Sequence, residues 1–175
     1  MNYSEIKNCD IANGPGVRVT LFVSGCTHHC EGCFNEMTWD FAYGVPFDAE
    51  VEERLFTYLE PAYIAGLTLL GGEPMEYGNW QALMPFLKKV RERYPEKNIW
   101  CYTGYRFEED ILERFCGQWA EMKEFLDCID VLVDGEFILA QKDISLQFRG
   151  SRNQRIILVQ ESLARGETVL WQGIR

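Results

Sequence analysis

The chain has 175 residues and a formal charge of −10, from 27 Asp and Glu against 17 Lys and Arg. That balance argues against a general nucleic-acid binder, which usually carries a basic face, and leaves protein partners open. Hydrophobic residues at 47% and aromatics at 14% exclude a disordered chain and fit a single domain spanning 1–175 with a substantial core. Seven cysteines, three of them crowded together, read as a reducing compartment and not as a secreted disulfide framework. The N-terminus has no apolar core of a signal peptide, and no apolar stretch approaches the roughly 20 residues a bilayer span needs. The expectation is a cytoplasmic protein with no membrane partner.

In chain order, Val17, Val19, Leu21 and Val23 alternate with other residues as a strand does, delivering the chain to Ser24-Gly25. Asp48 can cap a helix over 49–59, with apolar Val51, Leu55, Phe56 and Leu59. A short buried strand over 67–70 ends at Gly71-Gly72-Glu73-Pro74. A helix follows over about 79–93, with Pro85 as its kink or its true start. A strand over 99–102 ends at Thr103-Gly104, a helical region covers about 107–126 with a break near Cys116-Gly117, and a strand over 129–133 ends at Asp134-Gly135. Residues 155–159 read as strand, and the tail after Glu161 carries no assignment. This alternation predicts an α/β fold with a mostly parallel sheet. Its polar, glycine-rich segments fall just past strand carboxyl ends, where such sheets bind ligands. At 175 residues the chain is too short for a complete eight-fold barrel, which takes about 200 or more.

The densest chemistry is Cys26-Thr27-His28-His29-Cys30-Glu31-Gly32-Cys33, three cysteines in CxxxCxxC spacing. Three thiolates can hold three corners of a [4Fe–4S] cluster that normally takes four, leaving one iron with an open position of the kind reactive metal sites keep. The competing reading is a zinc site with His28 or His29 as fourth ligand. Otherwise both histidines are loop residues or sit behind the ligands, and neither is given a role. Gly71-Gly72-Glu73-Pro74 offers two glycines that permit close backbone approach to a ligand and a carboxylate that can pair with an ammonium group; alone it is also an ordinary turn into a helix. Cys9, Cys101, Cys116 and Cys128 lack ligand spacing and read as structural.

Several segments carry a family resemblance: Asp10-Ile11-Ala12-Asn13-Gly14-Pro15-Gly16-Val17-Arg18, the cysteine loop with Phe34-Asn35 and Thr38-Trp39, Tyr102-Thr103-Gly104-Tyr105, Val131-Leu132-Val133-Asp134-Gly135, and Phe148-Arg149-Gly150-Ser151-Arg152-Asn153-Gln154-Arg155. Over nearly the whole chain they resemble glycyl-radical-enzyme activases of the radical S-adenosylmethionine (SAM) superfamily, in particular the activating proteins of anaerobic (class III) ribonucleoside-triphosphate reductases. The resemblance implies a partial, open βα-barrel, a [4Fe–4S] cluster on Cys26, Cys30 and Cys33, and SAM as cofactor. It further implies reductive cleavage of SAM to a 5′-deoxyadenosyl radical that abstracts hydrogen from a glycine of the reductase. A flavodoxin- or ferredoxin-like protein would donate the electron.

The same resemblance assigns the amino group of SAM to Gly71, Gly72 and Glu73. Adenine falls to Gly32, Cys33 and Phe34; family members often carry an aromatic residue where this chain has Gly32, so backbone contacts with Phe34 nearby would serve, or Phe34 is core. Thr103 and Asp134 would lie near the SAM ribose or carboxylate, or near a monovalent cation. Arg18 would balance cluster or SAM charge, or form a salt bridge. Arg149, Arg152 and Arg155 would contact SAM, dock the reductase, or satisfy nearby carboxylates. Other small radical SAM enzymes, such as a different activase or a deazapurine synthase, a non-catalytic iron–sulfur electron carrier, and a zinc-stabilised module remain the alternatives.

Overall fold

The computed structural model describes residues 1–173. Its strands are β1 (Asn2–Asp10), β2 (Val17–Val23), β3 (Val45–Pro46), β4 (Ile64–Gly71), β5 (Asn98–Tyr102), β6 (Val131–Asp134) and β7 (Arg155–Leu158). Its helices are α1 (Ala49–Leu59), α2 (Tyr77–Arg93), a π-helical segment (Phe107–Phe115) running into α3 (Cys116–Gln118), then α4 (Met122–Asp127) and α5 (Val159–Arg165). The strands form one open sheet in the order β3-β1-β2-β4-β5-β6-β7. The central four, β2, β4, β5 and β6, are parallel, and the flanking β1, β3 and β7 pair antiparallel. The protein is therefore α/β with a mixed sheet, parallel only at its centre.

Local chemistry accounts for the elements. Asp48 Oδ1 accepts from the N–H groups of Glu50 and Val51, both at 3.1 Å, and starts α1. Asp10 closes β1: its carboxylate accepts from Ala12 N–H, Asn13 Nδ2 and Thr20 Oγ1, reversing the chain into β2. Pro85 neither kinks α2 off nor begins it; the helix starts at Tyr77 and carries Pro85 inside. Burial of Trp80, Leu83, Phe86, Leu87 and Val90 along one stripe offsets the roughly 3 kcal/mol that an interior proline costs. The break expected near Cys116-Gly117 lies later, between α3 and α4.

One face of the sheet presents Val19, Leu21, Leu67, Leu69, Ile99, Cys101 and Leu132, which share one apolar core with the buried residues of α1, α2, α4 and the π-helical segment. The other face carries a smaller cluster around Trp100, Val131, Val133 and Ile156, packed by Phe148 and Trp171. Parallel register sets the site: Val23 pairs with Gly71, and Tyr102 with Val133. The chain segments leaving β2, β4, β5 and β6 thus emerge side by side along one edge.

Candidate functional site

Those four strand ends surround a cavity of about 410 Å³. Cys26, Cys30 and Cys33 all line it, as do Gly71, Gly72 and Glu73 from the turn after β4, and Thr103 from the end of β5. Gly32 and Phe34 complete the lining from the cysteine loop. One cavity therefore gathers every cofactor-binding candidate except Asp134.

The cysteine loop is anchored at its stem. Gly25 N–H donates to Thr38 O at 2.8 Å and Cys26 N–H to Trp39 O at 3.2 Å. Across the stem, Gly72 N–H donates to Val23 O at 2.7 Å and Glu73 N–H to Gly25 O at 2.8 Å. Asn79, buried on α2, locks the junction: its Nδ2 donates to Ser24 O at 3.0 Å and Glu73 O at 2.9 Å. Burial pushes the Cys26 thiol up to about 12, with the Glu73 charge adding to it; burial raises Cys30 as well. Thiols bind metal as thiolates, so loading this site releases protons.

The glycines of the turn answer to neighbouring backbone. Gly71 has φ +110°, a left-handed conformation that disfavours other residues. A Cβ at Gly72 would lie 2.6 Å from Gly25 O and 2.8 Å from Thr38 O, so the close approach is to the stem of the cysteine loop itself. Glu73 is equally committed. At 1% exposure, its Oε1 accepts from Met75 N–H at 2.8 Å and its Oε2 from Gly104 N–H at 2.7 Å and from His28.

His28 is not free to complete a Cys₃His zinc site. Its Nε2 donates to Glu73 Oε2 at 3.1 Å and its Nδ1 to Glu136 Oε1 at 3.0 Å. Burial opposes its charge, but the hydrogen bond and charge of Glu73, then those of Glu136, win and push it up to about 9. His29 has its ring stacked on Trp39 at 4.5 Å. Among the described residues no three His, Cys, Asp or Glu side chains converge on a single-ion site. A cubane cluster makes a different demand, one thiolate at each of separate irons, and the three-cysteine loop fits it.

Other expectations change. Asp134 does not line the cavity: fully buried, its carboxylate binds Arg155 and accepts from Phe107 N–H at 3.0 Å. Arg155 also holds Glu108, and Arg152 pairs with Asp143 at 3.0 Å, so both arginines have carboxylate partners within the chain. Arg149 differs, since it lines the cavity and its buried Nε has no partner. Phe34 is no core residue; it stands 84% exposed at the cavity. Gly32 has φ +72°, a left-handed conformation that disfavours a side chain, and a Cβ there would press on Leu139 Cδ1 at 3.0 Å. Arg18 lies at the opposite end of β2, hydrogen-bonded to Thr68, Asn98 and the Leu67 carbonyl. The other four cysteines are free thiols away from this cavity, and no helix of the described residues is long and apolar enough to cross a membrane.

Comparison with known proteins agrees with this geometry at two levels. A family model described as a 4Fe-4S single cluster domain matches residues 12–157, which defines the class. More narrowly, the chain is 44% identical over 158 residues to the anaerobic ribonucleoside-triphosphate reductase-activating protein of Haemophilus influenzae, covering 89% of this chain and 97% of that one. The proteins of that name from Enterobacteria phage T4 and Escherichia coli are each 40% identical, covering 89% and 88% of this chain and 93% and 96% of their own. The chain belongs to the family of anaerobic ribonucleoside-triphosphate reductase-activating proteins.

Proposed function

We propose that the protein is a radical SAM activase that installs a glycyl radical on an anaerobic ribonucleoside-triphosphate reductase. The observation that carries this reading is that Cys26, Cys30 and Cys33 share one cavity with the glycine turn after β4. When bound, a [4Fe–4S] cluster supplies the single electron for reductive cleavage of SAM, whose adenosyl fragment takes hydrogen from the partner's glycine. The chain's own part is placement and exclusion of water. Three thiolates would hold the cluster and leave one coordination position for the amino acid portion of SAM.

With both Glu73 carboxylate oxygens already accepting from Met75, Gly104 and His28 and only 1% of the residue exposed, backbone at Gly71 and Gly72 is the better partner for the SAM amino group. Arg149 supplies an unsatisfied donor suited to the SAM carboxylate, a role the Asp134 carboxylate does not fill. Gly32 and Cys33 backbone, bordered by Leu139, Phe34 and Trp39, are assigned to adenine, and Thr103 to the ribose side. Phe34 and Ile144, 84% and 95% exposed at the rim, suit a polypeptide substrate, since exposed apolar clusters mark interaction sites.

The helices packed on one face of an open sheet with a parallel centre support a partial, open βα-barrel of the radical SAM type, one domain over 1–175. Seven free thiols favour a cytoplasmic setting, and one-electron reduction of the cluster calls for a low-potential donor such as a flavodoxin- or ferredoxin-like protein. The test is anaerobic reconstitution with iron and sulfide, then mixing with SAM, a low-potential reductant and the reductase. A glycyl radical on the reductase, seen by electron paramagnetic resonance (EPR), with stoichiometric methionine and 5′-deoxyadenosine, is the expected result. SAM cleavage without a radical on that reductase would point to a different substrate; a reducible cluster that leaves SAM intact would point to an electron carrier.

A further inference from the structure

At the cavity, His28, which the sequence left without a role, joins the cysteine loop to two carboxylates from other parts of the chain. The residue sits midway between Cys26 and Cys30, yet its ring reaches three other parts of the chain. Nε2 lies 3.1 Å from Glu73 Oε2 on the turn after β4, and Nδ1 lies 3.0 Å from Glu136 Oε1 just beyond β6. The Tyr105 ring, just beyond β5, meets it edge-on at 4.4 Å. Space for the imidazole exists because residue 104 is glycine: a Cβ there would lie 2.6 Å from ring atoms Cδ2 and Nε2.

The loop has few other side-chain ties to the strand ends. Backbone ties hold its stem at Gly25 and Cys26, and Cys33 N–H donates back to Cys30 O at 3.1 Å. Between them, Thr27 is bound to Glu76 Oε1, at 2.9 Å from its N–H and 2.5 Å from its hydroxyl, the His29 ring stacks on Trp39 at 4.5 Å, and His28 supplies the link to Glu73 and Glu136. Glu73 depends on the contact too, because a carboxylate only 1% exposed has no solvent to replace a lost donor.

We propose that His28 is a positioning residue: by joining the cysteine loop to Glu73 and Glu136, it fixes that loop against the SAM-binding turn and so sets SAM relative to the cluster. The inference rests on reading the cavity as a cluster and SAM site. Glu73, in turn, acts as the acceptor that orients His28. Placement of this kind matters because a 1 Å error at a reacting centre can cost about a hundredfold in rate.

The test compares full-length wild type with His28→Ala, His28→Gln and Gly104→Ala after anaerobic reconstitution. Iron and sulfide per chain, SAM affinity by titration, and the EPR spectrum of the reduced cluster with and without SAM are measured on each. In His28→Ala, iron and sulfide stay near wild type while SAM affinity falls about ten- to hundredfold, the weight of one charge-assisted hydrogen bond. The SAM-induced change in the spectrum broadens. His28→Gln, able to hold one carboxylate at a time, falls between. Gly104→Ala keeps every polar group but displaces the ring, and moves both SAM readouts the same way. Combining His28→Ala with Glu73→Gln adds little to the larger single effect, as expected for groups acting through each other.

Wild-type SAM affinity and spectrum in both His28→Ala and Gly104→Ala overturn the proposal. So does SAM affinity that falls only in step with lost iron, since His28 would then merely retain the cluster. A wild-type protein that holds a cluster but never binds SAM refutes the underlying reading of the cavity instead.

Discussion

The two faces of the central sheet are built from the same strands and follow different rules. Toward the helices, Val19, Leu21, Leu67, Leu69 and Ile99 are wholly buried in a continuous apolar core. On the opposite face, alternate residues of those strands are Arg18, Thr20, Thr68 and Trp100, equally buried but mostly polar. There each polar group is satisfied by another. Arg18 Nε donates to Thr68 Oγ1 at 2.7 Å, Thr68 Oγ1 donates to Asn13 O at 2.9 Å, and Thr20 Oγ1 donates to Asp10 at 2.7 Å. Burial lowers Arg18 to about 10, which leaves it charged at neutral pH. The helix side asks only for volume and shape, whereas the other side must account for every donor and acceptor. A polar site that excludes water is therefore an extension of the second face, and Asn13, Tyr102 and Phe148 line the cavity from it.

Cysteine replacement tests this contrast most severely. Alanine at Cys26, Cys30 or Cys33 should abolish stable cluster binding, read as iron per chain after reconstitution. Alanine at Cys101, wholly buried on the helix side, should leave iron content intact and cost about 1 kcal/mol in a denaturant titration. Full iron occupancy in any of the first three would remove it from the ligand set.

Adjacent residues on opposite faces give the next test. Leu69→Ala should destabilise by about 2–5 kcal/mol through the cavity it leaves. Thr68→Val keeps volume but strips Arg18 of an acceptor, at a cost of about 1–3 kcal/mol. If Thr68→Val were neutral, the polar accounting on that face would carry no weight. Chemical denaturation of both variants decides it.

Gly72→Ala probes the seam where the site meets the fold. Because the new Cβ would press on Gly25 O and Thr38 O, it should cost about 1–3 kcal/mol. Iron content and SAM affinity should fall together. Weak SAM binding with full iron content would show instead that the glycine serves the ligand alone.

How much of this could be read in advance depends on the range of the interaction. The strand β2, the Asp48 cap of α1 and the CxxxCxxC spacing are local patterns, and each is visible in the chain. The first strand, Asn2-Tyr3-Ser4-Glu5-Ile6-Lys7-Asn8-Cys9-Asp10, shows little apolar alternation and exists through pairing with β2 and β3. The π-helical turns at Phe107–Phe115 have no cue that separates them from an α-helix. His28 and Glu136 are 108 positions apart, and Asn79 reaches Ser24 across 55, so neither contact leaves a local trace. Arg155 reads as part of a basic group with Arg149 and Arg152 because its partners, Glu108 and Asp134, lie 47 and 21 positions away. Charge counted along a chain omits the counter-charges that folding brings in.

Arg155 allows the smallest and most specific test, at the polar rim where the π-helical segment meets β6 and β7. Its guanidinium binds Glu108 through Nη1 at 2.9 Å and Nη2 at 2.6 Å, while also holding Asp134. Hydrogen bonding from Arg155, helped by Thr168 and opposed by burial, holds Glu108 down to about 2 from its ordinary 4.5. A carboxylate depressed in the folded state binds its proton more readily when unfolded. Its contribution is thus complete above about pH 4.5 and is lost as the pH falls toward 2. Thermal melts across that window should show wild type losing stability more steeply than Glu108→Gln, with the two curves parallel near neutrality. Glu108 is 37% exposed on its side chain, so the difference should be modest and should shrink as salt is added. Parallel curves down to pH 2 would mean that Arg155 is held by Asp134 alone, and that Glu108 is a bystander at the rim.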